Sequence, residues 1–226
     1  MKYYTGHTPF LIAADCVVFG YEEGELKLLL YPRGFEPVKG SWSLIGGFVQ
    51  KSESSEEAAT RILKQITGLD NVFLEQVHTF SEPGREPTVR VISIAYFALI
   101  KIDQHDKELT SEHGAEWWSV TQLPPLIFDH AVMVKKSLAK LQQKAGGSQV
   151  GSELLPAKFT LIQLRKLYEA IYQREFDPGN FRKKIMSLEL LERLNIKNAS
   201  DSKRGAYYYR WKPEKGDLEN NHIVKY

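Results

Sequence analysis

A single cysteine, Cys16, in 226 residues excludes an intrachain disulfide and fits a reducing compartment. Cys16 lies within an apolar, strand-like run, which favours packing over a catalytic thiol. No run of 18 apolar residues occurs, so no transmembrane helix and no membrane partner are predicted. The apolar stretch 10–14 is too short for a secretory leader, and Asp15 interrupts it, so the expected location is cytoplasmic. Internal repeats and long low-complexity tracts are absent as well. The chain also lacks a strong overall charge: 30 Lys and Arg against 28 Asp and Glu leave a net of +2.

That balance is uneven along the chain. Residues 156–215 carry 14 basic and seven acidic side chains, a local net of +7, which leaves the remainder at −5. A basic segment in a near-neutral protein predicts a localised polyanion-binding surface. The Gly- and Ser-containing stretch 145–152 marks the change in character. We therefore divide the chain into a domain of residues 1–145, a linker 146–155, a basic domain 156–215 and a polar tail 216–226.

The first domain holds the most informative motif, GFVQKSESSEEAATRILKQITGL, at residues 47–69. Ser54 and Glu57 form a capping-box pair, so a helix is expected from about residue 55. Positions 62, 65 and 66 then fall on one helix face, where Ile62, Gln65 and Ile66 stand. Glu56 and Glu57 read better as first-turn carboxylates complementing the helix dipole. Residues 16–31 read as two apolar strands joined by a Glu-Glu-Gly turn, and 42–45, 91–99 and 116–118 as further strand segments. Residues 124–130 lead into a helix running to about residue 144. His130 lacks a partner at metal-ligand spacing, so capping or packing is its preferred role.

The second domain reads as helix, helix, β-hairpin. Thr160 with Gln163 caps a helix whose Leu161, Leu164, Leu167, Tyr168 and Ile171 keep helical spacing. Asp177-Pro178 starts a second helix that buries Phe181 and Ile185. Strands near 190–196 and 206–211 flank a turn ending Lys203-Arg204-Gly205. This is the order of a winged helix-turn-helix. Its second helix would enter a major groove, which makes Asn180, Arg182, Lys183 and Lys184 candidate DNA contacts, with Lys203 and Arg204 at the wing tip.

The motif at 47–69 resembles the Nudix signature, G-x5-E-x7-R-E-U-x-E-E-x-G-U with U aliphatic. Gly47, Glu53, Arg61, Leu63, Gly68 and Leu69 keep the pattern, whereas Ile62, Gln65 and Ile66 replace the three glutamates after the arginine. Those glutamates hold divalent metal in the family. Without their oxygens neither metal nor a metal-activated water is expected, so the chain reads as no enzyme, with no metal and no cofactor. A residual hydrolase using Glu56 or Glu57 is the alternative. Together, Phe159-Thr160-Leu161 through Asn180-Phe181-Arg182-Lys183-Lys184 resemble the C-terminal domain of the Nudix-related transcriptional regulators. Gly179 stands where relatives often carry an arginine.

That resemblance implies an α+β protein: a Nudix-like α/β/α sandwich with a mixed sheet, followed by the winged helix. It also implies a homodimeric repressor on a palindromic operator. One branch of the family senses ADP-ribose, and another, in Bacteroidetes, senses L-arabinose; the chain resembles the arabinose branch more. The apolar motif face agrees with a neutral sugar rather than a diphosphate. Arg33, Trp42, Ser43, Glu82 and Arg90 are the candidate effector contacts, although Trp42 also suits a core and Arg33 and Glu82 suit loop surfaces.

Overall fold

A computed structural model describes residues 6–68, 72–102, 114–147, 150–199 and 205–213. Strand β1 (Leu11–Glu22) turns at Glu23 and Gly24, both at positive φ, into β2 (Glu25–Pro32). Short strands β3 (Trp42–Ser43) and β4 (Ile45–Phe48) precede helix α1 (Ser55–Thr67). Then follow β5 (Phe73–Phe80), β6 (Val91–Lys101), β7 (Glu116–Ser119) and helix α2 (His130–Gly147). The order β3-β2-β1-β6-β5, with β4 on β1 and β7 on β2, makes a mixed seven-stranded sheet. The β1–β6 pair is parallel and the others are antiparallel.

Both faces of this sheet are covered, which is why β1 reads as a nearly unbroken apolar run. Ala14, Cys16 and Val18 face α1, packing with Ile45, Ala59, Ile62 and Leu63. Val17 and Phe19 face the other way, into a core shared with Phe97, Met133 and Leu141. The α/β/α sandwich expected from the sequence is therefore formed. Strand β5 is a difference, because its mixed residues show no clean alternation.

The second domain opens with a short helix, α3 (Gly151–Leu154), inside the stretch that reads as a linker. Val150, Leu154 and Leu155 are buried there, in a core continuous with both domains. A Cβ on Gly151 would lie 2.9 Å from the Trp211 ring, so this close approach requires glycine. Strand β8 (Phe159–Thr160), helices α4 (Leu161–Tyr172) and α5 (Pro178–Ser187), and strands β9 (Leu191–Asn198) and β10 (Ala206–Trp211) complete the domain. The strands form an antiparallel sheet in the order β8-β10-β9. Both reciprocal bonds of the Thr160–Gln163 capping box form. Asp177 caps α5 by accepting the Asn180 N–H at 2.8 Å.

Candidate functional site

The loop between β5 and β6 supplies the charged floor of a cavity in the first domain. Arg90 fastens the loop's neck by donating to the carbonyls of Ser81 at 2.8 Å and Glu82 at 3.0 Å. Arg85 thereby reaches inward, with its side chain only 4% exposed. It donates to both carboxylate oxygens of Asp129, at 2.9 and 2.7 Å, and lies 3.9 Å from Asp15 Oδ2. Ser93 donates to Asp15 from the neighbouring strand β6. Gly46 cannot be replaced without moving this floor, since a Cβ there would stand 2.0 Å from Asp15 Oδ1.

One wall is an arginine between two rings. The Arg33 guanidinium lies 4.1 Å from the Phe35 ring centre and 5.2 Å from that of Phe128. It donates to the Phe35 carbonyl at 3.1 Å and to Glu86 at 3.3 Å. Gly46, Gly47, Phe48 and Ile66 also line the cavity, whose volume is about 340 Å³. That is at the small end of ligand pockets. The lining carries two carboxylates, Asp15 and Glu86, and two guanidiniums, Arg33 and Arg85. Each cation is already paired with a carboxylate.

His130 starts α2 at the edge of the pocket. Its Nδ1 accepts the Leu44 N–H at 3.1 Å, which leaves Nε2 to carry the proton of the neutral ring. Burial holds its pKa below the ordinary 6.5, against the pull of Asp15 and Asp129. A depressed histidine pKa means that the unfolded chain takes up the proton first as pH falls. The stability this ring allows is intact above about 6.5 and declines as pH drops from there towards the lowered value. Urea midpoints measured from about pH 8 to pH 5 should show this decline, and His130→Asn should flatten it. An asparagine oxygen can still accept the Leu44 N–H.

Helix α1 keeps the Nudix scaffold. Arg61 donates to Glu53 through Nε at 2.9 Å and Nη2 at 2.6 Å, and to the Phe48 carbonyl at 3.2 Å. These bonds, with the Gln50 N–H, hold the Glu53 carboxyl down at about 2. The three substituted positions offer a cation little. Ile62 is buried against Gly47, Ile66 lines the cavity, and the Gln65 carbonyl accepts from Arg61 at 3.2 Å. Glu56 and Glu57 are exposed, and Glu57 is taken up in the capping box. Among the described residues, no three His, Cys, Asp or Glu side chains gather closely enough to hold a metal. The residues present do not fit the family's divalent cation.

Of the candidate effector contacts, the cavity takes in Arg33 and Ser43. Trp42, Glu82 and Arg90 lie outside its lining. Trp42 and Ser43 are consecutive in a strand and so face opposite ways; Trp42 packs edge-on against Trp118, 5.3 Å between centres. Glu82 and Arg90 instead form the loop's neck. Asp15, Arg85, Glu86 and Phe128 were missed by sequence reasoning, while His130, read as capping or packing, is buried at the pocket's edge and accepts the Leu44 N–H. The charge-rich segment 82–87 was a signal, but not one that says which charges point inward.

In the second domain, Asn180, Arg182 and Lys183 are exposed on α5 while Phe181 and Ile185 are buried, and Lys184 is half-buried. Lys203 and Arg204 lie outside the described residues. The wing carries a further basic cluster, with Arg193 and Lys197 at 4.7 and 4.9 Å from the Tyr207 ring.

Residues 9–139 match the NUDIX domain family. The chain belongs to the Nudix family. Residues 151–211 match the NrtR DNA-binding winged helix domain, so this Nudix protein has the two-part layout of the Nudix-related regulators. It is 28% identical over 220 residues to the ADPR responsive transcriptional repressor NtrR of Acinetobacter baylyi, covering 96% of this chain and 88% of that one. An ADP-ribose pyrophosphatase of Methanocaldococcus jannaschii is 38% identical over 118 residues, covering 52% of this chain and 69% of the enzyme. Shewanella oneidensis NrtR, solved with a 27mer DNA, superposes with a TM-score of 0.80 at 27% identity, covering 95% and 98% of the two chains. Its NUDIX domain, solved with ADP ribose, gives a TM-score of 0.53 at 28% identity, covering 61% of this chain and 92% of that one.

Proposed function

We propose that this protein is a DNA-binding transcriptional repressor whose Nudix domain has become an effector pocket. The observation that carries the reading is one chain holding both a charge-lined cavity and a winged helix with an exposed basic face. Nearly end-to-end similarity to a repressor and to a regulator solved on DNA supports the same role. Two copies on a palindromic operator would place recognition helices a whole number of turns apart, each ~34 Å. Moving such a system from 99:1 to 1:99 requires about 5.5 kcal/mol of differential effector affinity.

For the effector, the comparisons favour ADP-ribose over L-arabinose, since both the repressor and the NUDIX-domain cocrystal name it. A second reading, L-arabinose, rests on the pocket itself. Arg33 and Arg85 are already neutralised by Glu86, Asp129 and Asp15, and Ile62 and Ile66 make the motif face apolar, so among the described lining residues a diphosphate meets no unpaired cation. Paired charges and two aromatic rings suit the hydroxyls and the apolar face of a neutral sugar. Calorimetric titration with each compound separates the two: heat with one and none with the other assigns the pocket, and heat with neither removes both.

Hydrolysis is not part of the proposed function. Incubation with ADP-ribose and Mg²⁺ is expected to yield no AMP or ribose phosphate above the uncatalysed background. Metal-dependent product formation would return the protein to the hydrolases and give Glu56 or Glu57 a catalytic part.

A further inference from the structure

Helix α2 touches the pocket at one end and the winged helix at the other. Asp129, which grips Arg85, immediately precedes it, and His130 is its first residue. Twelve residues on, about 18 Å along the axis at 1.5 Å per residue, Gln142 meets helix α4. There the Gln142 side chain donates to the Ile171 carbonyl at 3.0 Å, and the Tyr172 hydroxyl donates back to the Gln142 carbonyl at 2.7 Å. This reciprocal pair joins the last turn of α4 to the last third of α2.

Beyond the clasp the contacts continue to the basic helix. Tyr172 lies over Tyr168, with 6.4 Å between ring centres, and against Phe176 at 5.9 Å. Both of these touch Phe181 of α5, at 5.7 and 6.0 Å. Phe181 stands between Asn180 and Arg182, so the aromatic cluster sets where those two side chains project. Lys140 and Lys144 bind Glu75 of β5, at 3.4 and 2.7 Å, and so anchor the same end of α2 to the sheet.

We propose that the Gln142–Tyr172 clasp is the joint through which the Nudix pocket controls the recognition helix. A ligand that displaces the Arg85–Asp129 pair shifts the start of α2, and a packed helix passes that shift to its far end. The clasp fixes the winged helix to that end, so the displacement changes the angle at which α5 is presented. Neither Gln142 nor Tyr172 lines the pocket or belongs to α5, so each acts as a positioning residue. The inference rests on the repressor reading above.

The test is the coupling between the two sites. Anisotropy on operator DNA gives DNA affinity with and without saturating ADP-ribose, and separately L-arabinose, for wild type, Tyr172→Phe and Gln142→Ala. The ratio with and without ligand is the coupling factor, commonly about 5- to 150-fold. Either variant should reduce that ratio by roughly 3- to 10-fold, the equivalent of one hydrogen bond. Calorimetric affinity for the ligand in the absence of DNA should stay within about twofold. Tyr172→Phe keeps the ring, so Gln142→Ala serves as the independent check if either variant is unstable. Variants that retain full coupling overturn the clasp and leave the repressor standing. A wild-type protein whose DNA binding answers to neither compound overturns the reading beneath it.

Discussion

Arg85→Ala is expected to lower the thermal midpoint by roughly 10 °C and to abolish effector binding. The side chain is 4% exposed and serves two carboxylates, gripping Asp129 bidentately and facing Asp15. Truncation leaves both acids beside the cavity without their shared cation. Breaking a buried pair from one side costs about 3–5 kcal/mol. Asp129 retains partial access to water, at 23% exposure, which favours the lower end of that range. In a protein of this length each kcal/mol moves the midpoint by about 2–4 °C. Arg85→Lys keeps the charge but not the fork, and should fall between the two. Scanning fluorimetry with calorimetry separates the two effects; a wild-type midpoint would mean that the floor network contributes nothing to folding.

Replacing Arg182 and Lys183 together by alanine is expected to weaken operator binding about 100-fold and to leave the fold intact. Both are exposed on α5, while Phe181 and Ile185 carry that helix's packing. One contact to a base edge is worth about 1–3 kcal/mol. Each lost phosphate contact also lowers the log–log salt slope by about 0.9, so the double variant should lose up to roughly two from that slope. If affinity fell with an unchanged slope and no loss of sequence preference, α5 would not be the recognition helix.

How much of this was legible follows from how each residue acts. Caps and apolar periods act locally, and so Ser54–Glu57, Thr160–Gln163 and Asp177 each placed a helix start correctly. The apolar run from Cys16 announced a strand; that it begins at Leu11 and is covered on both faces emerged only in the fold. Strand β5 and the two-residue β8 did not announce themselves, because their pairing is set by distant partners. The linker reading gave way for a similar reason: Val150, Leu154 and Leu155 find their apolar neighbours only once the domains fold together.

The site was legible only in part. Arg33, just after β2, and Ser43, in β3, reach the cavity as the sequence suggested, whereas Trp42 faces the opposite side. Among the charges of the segment 82–90, the structure sends Arg85 and Glu86 inward and uses Arg90 to fasten the loop. Nothing in the order of those residues distinguishes the three. Asp15 read only as an interruption of an apolar run, and its place in the floor network needed Ser93 and Arg85 from elsewhere in the chain.

The central claim is that ligand in the Nudix cavity controls DNA binding by the winged helix. The most direct measurement is fluorescence anisotropy on duplex DNA taken from upstream of the protein's own gene, with ADP-ribose and L-arabinose titrated separately. The account predicts binding that falls steeply with salt and is released by one of the two compounds, with release abolished in Arg85→Ala. DNA binding unchanged by either compound, or no binding even at low salt, would contradict it.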